Sequence, residues 1–358
     1  MSHAASTSSE RTILADSVSR LFADLGTADH LHNLKNGAWV ASEWQAIEKA
    51  GLADAGVSEA RGGSGADLFA LATIIRFAAF HNVSVPLAET FLAEFMLDKA
   101  ALSPRRGPLT IAPVIRQSTA ALVRQGGAYL FSGELHRVPW ARHAAAVVVA
   151  VDLEGRPATV VVGLPNEVRN GSNLADEPRD TLIFDGFPVP IDHVGSGPDS
   201  LSRDEVILRG SLLRAAAIWG ALERVQEIAI RYVSDRTQFG KPIGKFQAVQ
   251  QMVAVMASHV AACGTAVAAA IDAAERPGCE FEIAAAKARV SEAAGAVAAL
   301  AHQVHGAIGI SREYSLNFST RRLWSWRDEF GSETEWSEHL GGMLAQIGAD
   351  ALWAHVTR

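Results

Sequence analysis

RYVSDRTQFGKPIGKFQAVQQ, residues Arg231–Gln251, joins two helical segments through a turn containing Phe239, Gly240 and Pro242. Proline has no amide donor and restricts the residue before it. The spacing therefore predicts that one helix ends near Gln238 and the next starts near Lys245. Arg236 and Gln238 lie between the helices, with Gln247 just beyond. A guanidinium fork and two carboxamides on such an edge suit a phosphate-bearing, heteroaromatic ligand. The plainer reading is a surface helical hairpin with incidental polar residues.

Both flanks carry helical periodicity. Upstream, from about Arg203, Glu223, Glu227, Arg231 and Ser234 form a polar stripe, with Val225, Ile228 and Tyr232 opposite. Glu227 and Arg231 are an i,i+4 pair worth ~0.3 kcal/mol. Downstream, Phe246, Val249, Val253, Met256 and Val260 make an apolar face on a helix predicted to stop near Pro277–Gly278. A further helix runs from about Glu280 to Gly306, with Ile283, Val290, Ala294, Val297 and Val304 inward. Three long Ala-rich helices with short connections imply a close-packed bundle. Burial in an oligomer and burial in the monomer explain the alanine equally well.

Residues 1–104 are also helical in pattern: Val18, Leu21, Phe22 and Leu25 share a face, and Trp44, Ile47 and Leu52 repeat after Ala41. The glycines of ARGGSGADL (Gly62, Gly63, Gly65) lie between helical segments, so they read as a loop rather than a phosphate cradle. Across 105–199 the periodicity changes. Leu109–Ile115, Ala128–Phe131, Ala146–Val151 and Thr159–Val162 read as strands, the last two joined by a hairpin loop, DLEGRPA. A small β-barrel or sandwich between helical domains follows. The expected domains are 1–104, 105–199 and 200–358.

A net charge of −7 gives no sign of nucleic-acid binding. Cys263 and Cys279 build neither a disulfide framework nor a zinc site, which suggests a reducing cytoplasm. The opening MSHAASTSSE lacks an apolar signal core, so no secretion is expected. Ala144–Val151 is too short to span a bilayer. The Ala-rich stretch around Val260–Ile271 reads as a buried helix, so no membrane is expected.

R-x-Q-F-G-x-P-I-x-x-F-Q-x-x-Q (Arg236–Gln250) closely resembles the signature of the acyl-CoA dehydrogenase family, flavoenzymes that desaturate acyl-CoA thioesters. EARGGSGADL is similar to the family turn EEYGGSGA, and VPLAETFLAEFML (Val85–Leu97) to its P-x-A-E-T helix. QVHGAIG (Gln303–Gly309) resembles the family's Q-x-x-G-G-x-G; read alone, its Gly306 is a helix C-cap. His305 in this motif reads as a packing residue. SGELHRVPWARHA (Ser132–Ala144) resembles the strand and turn that face the flavin, which puts Trp140 near the ring; otherwise it is a rim aromatic. LTIAPVIRQST departs from the family's T-E-P-x-A-G-S-D segment.

The resemblance implies an α+β multidomain fold: a helical N-terminal domain, a central small β-barrel or sandwich, and a C-terminal four-helix-bundle domain. It further implies FAD, held by Arg236, Gln238, Phe239, Gln247, Gln303, Gly306, Gly309 and Trp140. It implies an acyl-CoA substrate, electron-transferring flavoprotein as acceptor, and a homo- or hetero-oligomer, dimer or tetramer, because two of the motifs clasp a cofactor held mainly by a neighbour.

The family's base is the glutamate of Y-E-G-T-x-E. Here RLWSWRDEFGSETEW (Arg322–Trp336) stands in its place. Glu329 precedes Glu333 by four residues, as the family's two glutamates are spaced, so Glu329 is the expected base. Phe330–Gly331 then replace glycine–threonine. A thioester α-proton is weakly acidic, so its acceptor is expected to be desolvated. A minority of relatives place the base near the position of Gly210, where this chain has no carboxylate. Glu329 in a solvated acidic turn is the plainer reading. Trp324, Trp326 and Trp336 are candidate walls of an acyl pocket. The missing segment also admits a cofactor-completing subunit of a two-chain enzyme acting on a bulky acyl-CoA, such as one with a steroid side chain. An oxidase on the same fold is a third reading.

Overall fold

The computed structural model describes residues 8–27, 39–113 and 120–357. The polar N-terminus (1–7), and the end of the Leu109–Ile115 strand together with the rest of LTIAPVIRQST (114–119), lie outside the described residues. The chain divides into two compact units, residues 1–210 and 211–358.

The first unit opens with α1 (Ser8–Leu25), α2 (Ala41–Lys49), α3 (Leu68–Phe80) and α4 (Leu87–Lys99). α1 packs on α3 and buries Val18 and Phe22; α2 buries Trp44 and Ile47, as their spacing predicts. Asp67 starts α3 by accepting a 2.8 Å hydrogen bond from the amide of Ala70.

Eight strands follow among the described residues: β1 (Leu109–Ile111), β2 (Ala121–Gln125), β3 (Ala128–Pro139), β4 (Ala146–Leu153), β5 (Arg156–Val162), β6 (Glu167–Arg169), β7 (Arg179–Val189) and β8 (Val194–Gly195). They form two four-stranded sheets, ordered β1-β4-β5-β8 and β2-β3-β7-β6. β4 and β5 make the expected hairpin, pairing Leu153 with Arg156. Phe131, Leu135 and Leu182 of one sheet share a core with Val147, Val149 and Val160 of the other, so the β layer is a sandwich. Phe131 meets Phe184 edge-on, ring centroids 4.9 Å apart. β3 runs eight residues beyond the predicted Phe131, through two bulges that carry the chain to Trp140.

The second unit contains the greater part of α5 (Arg203–Asp235), a two-stranded hairpin of β9 (Thr237–Gln238) and β10 (Lys241–Pro242), α6 (Gln247–Ala273), α7 (Glu280–His305), α8 (Ala307–Ile310), α9 (Leu316–Trp326), α10 (Glu333–Ile347) and α11 (Ala349–Val356). α7 is the central helix, packed against α6, α9 and α10. Ile283, Val290, Ala294, Val297 and Val304 are all buried, on the face that their spacing selects. α6 is long and apolar enough to cross a membrane by length and composition alone, and 33% of its most apolar window is buried. Cys263 on α6 is fully buried beside the carbonyl of Arg289, and burial pushes its thiol up to about 12. Cys279, at the start of α7, is partly exposed, and both thiols are free.

Candidate active site

The connection around Phe239 is longer than the proline alone predicts. α5 ends at Asp235 and α6 starts at Gln247, three residues before Gln238 and two after Lys245. The extra residues form a hairpin in which Gln238 pairs with Lys241. Phe239 (φ 52°) and Gly240 (φ 78°) both take left-handed backbone at its tip. Two such central residues define a type I′ turn. The amide of Ile243 donates to the carbonyl of Arg236 at 2.8 Å, closing the hairpin from below. Arg236, Gln238 and Gln247 are exposed, and Phe239 is 90% exposed. A braced turn thus offers a guanidinium, two carboxamides and an aromatic ring to whatever meets it.

The same corner holds the Gln303–Gly309 motif. Tyr232, one helical turn before Arg236, stacks on His305 at 4.3 Å between ring centroids and 24° between planes. Its hydroxyl donates to the carbonyl of His305 at 3.3 Å. Gly306 (φ 64°) ends α7, and Gln303 and Gly306 are exposed. Gly309 is buried, and a Cβ there would stand 2.9 Å from that of His305. Burial pushes both His302 and His305 below the ordinary histidine range, and His305 Nδ1 lies 2.7 Å from the carbonyl of Ala301. A neutral, enclosed imidazole fits the packing role expected of His305.

Glu329 lies in the turn between α9 and α10. Among the neighbouring acids it is the most enclosed, 14% exposed against 65% for Asp328 and 37% for Glu333. Arg214 of α5, itself 5% exposed, brings Nη2 to 2.9 Å from Glu329 Oε2. The guanidinium also lies 5.2 Å from the ring of Trp326 and 6.0 Å from that of Phe330. Phe330 (φ 57°) and Gly331 (φ 97°) are both left-handed, and Trp336 Nε1 donates to the carbonyl of Phe330 at 2.9 Å. A Cβ on Gly331 would meet the Trp336 indole at 2.5 Å, so only glycine fits there. Ser332 then starts α10 with a capping box completed by Glu335.

Beneath this turn lies Lys287 of α7, which is fully buried. Its Nζ donates to Ser291 Oγ at 3.0 Å and to the carbonyls of Arg327 and Gly331, each at 2.7 Å. Burial first, then Arg214, push its amine down to about 7, against the opposing pull of Asp328 and Glu329. Neither Arg214 nor Lys287 figured in the motif reading. The available signal was position: Lys287 falls one turn after Ile283 on the apolar face of α7, where a charge needs a partner.

The three tryptophans have other partners. Trp324 stacks on His302 at 5.3 Å, Trp326 lies against Arg214 and Arg322, and Trp336 braces the turn. The pair of glycine followed by a hydroxyl residue occurs here as Gly331–Ser332, one position later than the Glu329 alignment places it. On that second register Phe330 stands where the family has its glutamate.

Trp140, in the first unit, is 3% exposed and left-handed (φ 54°), beside Trp39 at 6.1 Å and His143 at 6.3 Å, which stack on each other at 5.4 Å. Its amide donates to the carbonyl of Pro178. Just after it, Arg142 grips the fully buried Asp180, with 2.5 Å between Nη2 and Oδ1. Asp180 also accepts from the amides of Arg142 and Gly171.

Comparison with known proteins bears on the fold. Residues 205–326 match the model of the acyl-CoA dehydrogenase C-terminal domain. Acyl-CoA dehydrogenase IpdE2 of Mycobacterium tuberculosis is 28% identical over 284 residues, covering 78% of this chain and 80% of that protein. The fold is that of the ChsE4-ChsE5 complex of M. tuberculosis (TM-score 0.86, 22% identity, 96% of this chain and 99% of that one). It is also that of a Tcur3481-Tcur3483 steroid acyl-CoA dehydrogenase variant (TM-score 0.85, 23% identity, 94% and 98%). With its two signature motifs joined at one corner and residues 205–326 matched to the family's C-terminal domain, this chain is similar to the acyl-CoA dehydrogenases and shares their fold.

Proposed function

We propose that this chain catalyses the FAD-dependent α,β-dehydrogenation of an acyl-CoA thioester to a 2-enoyl-CoA. The observation that carries this reading is the Tyr232–His305 stack, which sets the exposed Arg236 hairpin beside Gln303 and Gly306. Those groups suit a diphosphate and an adenine: a fork for phosphate oxygens, carboxamides for ring edges, and Phe239 to cover a ring face. Gln247 and Gly309 complete the set proposed in this unit; Trp140 of the first unit is proposed separately, as a residue that faces the flavin ring. When bound, FAD supplies the acceptor of the β-hydride.

Glu329 takes the α-proton. It is the enclosed carboxylate of its turn, and Arg214 holds it in one orientation. Electron-transferring flavoprotein receives the electrons, and the protein works in the cytoplasm as a dimer or tetramer. The steroid enzyme among its structural neighbours supports a bulky acyl group, and the ChsE4-ChsE5 complex supports a hetero-oligomer.

The Gly331–Ser332 register favours a second reading. If Phe330 holds the base position, Glu329 is a structural ion-pair partner and a second, different chain brings the carboxylate. This chain would then complete the cofactor site of a two-chain enzyme.

The deciding experiment is the visible spectrum of the chain purified alone, followed by anaerobic titration with a panel of acyl-CoAs. Bound flavin that bleaches in the wild type but not in Glu329→Gln supports the first reading. A colourless protein that gains flavin only on mixing with a second chain moves the assignment to the other. Normal bleaching in Glu329→Gln removes Glu329 from the mechanism.

A further inference from the structure

We propose that Lys287 is a positioning residue for this site: from inside the helical unit it ties the two ends of the Arg327–Gly331 turn together and so fixes where Glu329 and Phe330 stand. The inference rests on the proposed function in one respect, that this turn belongs to the active site.

Burying an ammonium costs several kcal/mol before its partners are counted, and a leucine or methionine on the same face of α7 would pack without that cost. The compensation is local and specific. The carbonyls of Arg327 and Gly331 point into the protein, and Lys287 Nζ meets each at 2.7 Å. Ser291, one turn further along α7, donates a 3.0 Å hydrogen bond to the same Arg327 carbonyl. Without these donors both carbonyls would face an apolar helix with no partner from α7.

The turn needs such a tie. Two successive left-handed residues, Phe330 and Gly331, reverse the chain within a few positions, and the first is not glycine. A non-glycine residue in that conformation persists where its surroundings over-determine it. Lys287 holds the carbonyls on either side of Glu329 and Phe330, Trp336 holds that of Phe330, and Arg327 reaches Glu333 at 3.1 Å. With its backbone fixed, the side chain of Glu329 has one direction in which to meet Arg214.

Amide hydrogen exchange on the full chain tests this, comparing wild type with Lys287→Met, Lys287→Arg and Ser291→Ala. In Lys287→Met the amides of 327–332 should exchange about tenfold faster, with those in the middle of α7 unchanged; Lys287→Arg should recover part of the protection. In the loaded enzyme kcat should fall about tenfold while KM stays within about twofold, as for an interaction made in the transition state. Unchanged exchange in 327–332 overturns the proposal. Faster exchange with unaltered kcat also overturns it, leaving Lys287 a structural residue only. Should Lys287→Met fail to fold, Ser291→Ala and Lys287→Arg decide on the same two readings. A wild type that no acyl-CoA reduces sinks the proposed reaction instead, and the exchange comparison still decides whether Lys287 holds the turn.

Discussion

Arg214 and Glu329 lie 2.9 Å apart with 5% and 14% of their side chains exposed, so each offsets part of what the other loses on leaving water. Removing one partner takes that compensation from the second. Arg214→Met should lower unfolding stability by roughly 3 kcal/mol, and adding Glu329→Gln should restore a good part of it. Urea denaturation of the two single variants and the double variant measures the coupling. Strictly additive losses would mean that the pair contributes nothing.

Tyr232 links the Arg236 hairpin to the Gln303–Gly309 segment through ring contact more than through its 3.3 Å hydroxyl contact. Tyr232→Phe should therefore retain FAD about as well as wild type. Tyr232→Ala loses the stack, worth about 1 kcal/mol, and should bind FAD roughly fivefold more weakly, with further loss if the corner reorganises. Flavin fluorescence quenching gives both affinities. Equal weakening in the two variants would assign the linkage to the hydrogen bond.

Asp180 is fully buried and serves Arg142 and two backbone amides close to Trp140. Asp180→Asn keeps the shape but loses the charge that faces the guanidinium. A loss of about 3 kcal/mol in the first unit is expected, read by thermal or urea unfolding. A shift below about 0.5 kcal/mol would show that water solvates Arg142 well enough without it.

Lys287 gives stability a pH dependence whose sign can be worked out. Its amine in the folded protein is pushed down to about 7, mainly by burial. In the unfolded chain a lysine keeps its proton to roughly 10.4. Between these values the unfolded state binds more protons, so this group's contribution grows as pH rises from about 7 towards 10 and is lost as pH falls back to about 7. The urea midpoint of wild type should therefore gain more between pH 7.5 and 9.5 than that of Lys287→Met. Parallel pH profiles would assign the slope to other groups.

Much of the helical part was legible because the signals are local and repeat. The spacing from Ile283 to Val304 selected the face of α7, and Gly306 marked its end. The RTQFG wording located the hairpin, although cross-strand pairing at Gln238–Lys241 moved both helix ends away from it. β7 escaped notice because it opens on Arg179 and Asp180, which are buried by pairing rather than by apolar character. The turn at Glu329 was the hardest part. Its motif could be aligned in two registers, and the residues that fix it, Arg214 and Lys287, come from helices far away in sequence.

The two thiols run on different clocks. Cys279 is within reach of a reagent in the native protein, whereas Cys263 is sealed between α6 and α7 and holds its proton to about 12. A thiol reagent at neutral pH modifies Cys263 only when those helices part, because the thiolate is the reactive form. The slow phase of labelling is therefore a built-in gauge of how often the central helix pair opens, readable by mass without any engineered probe.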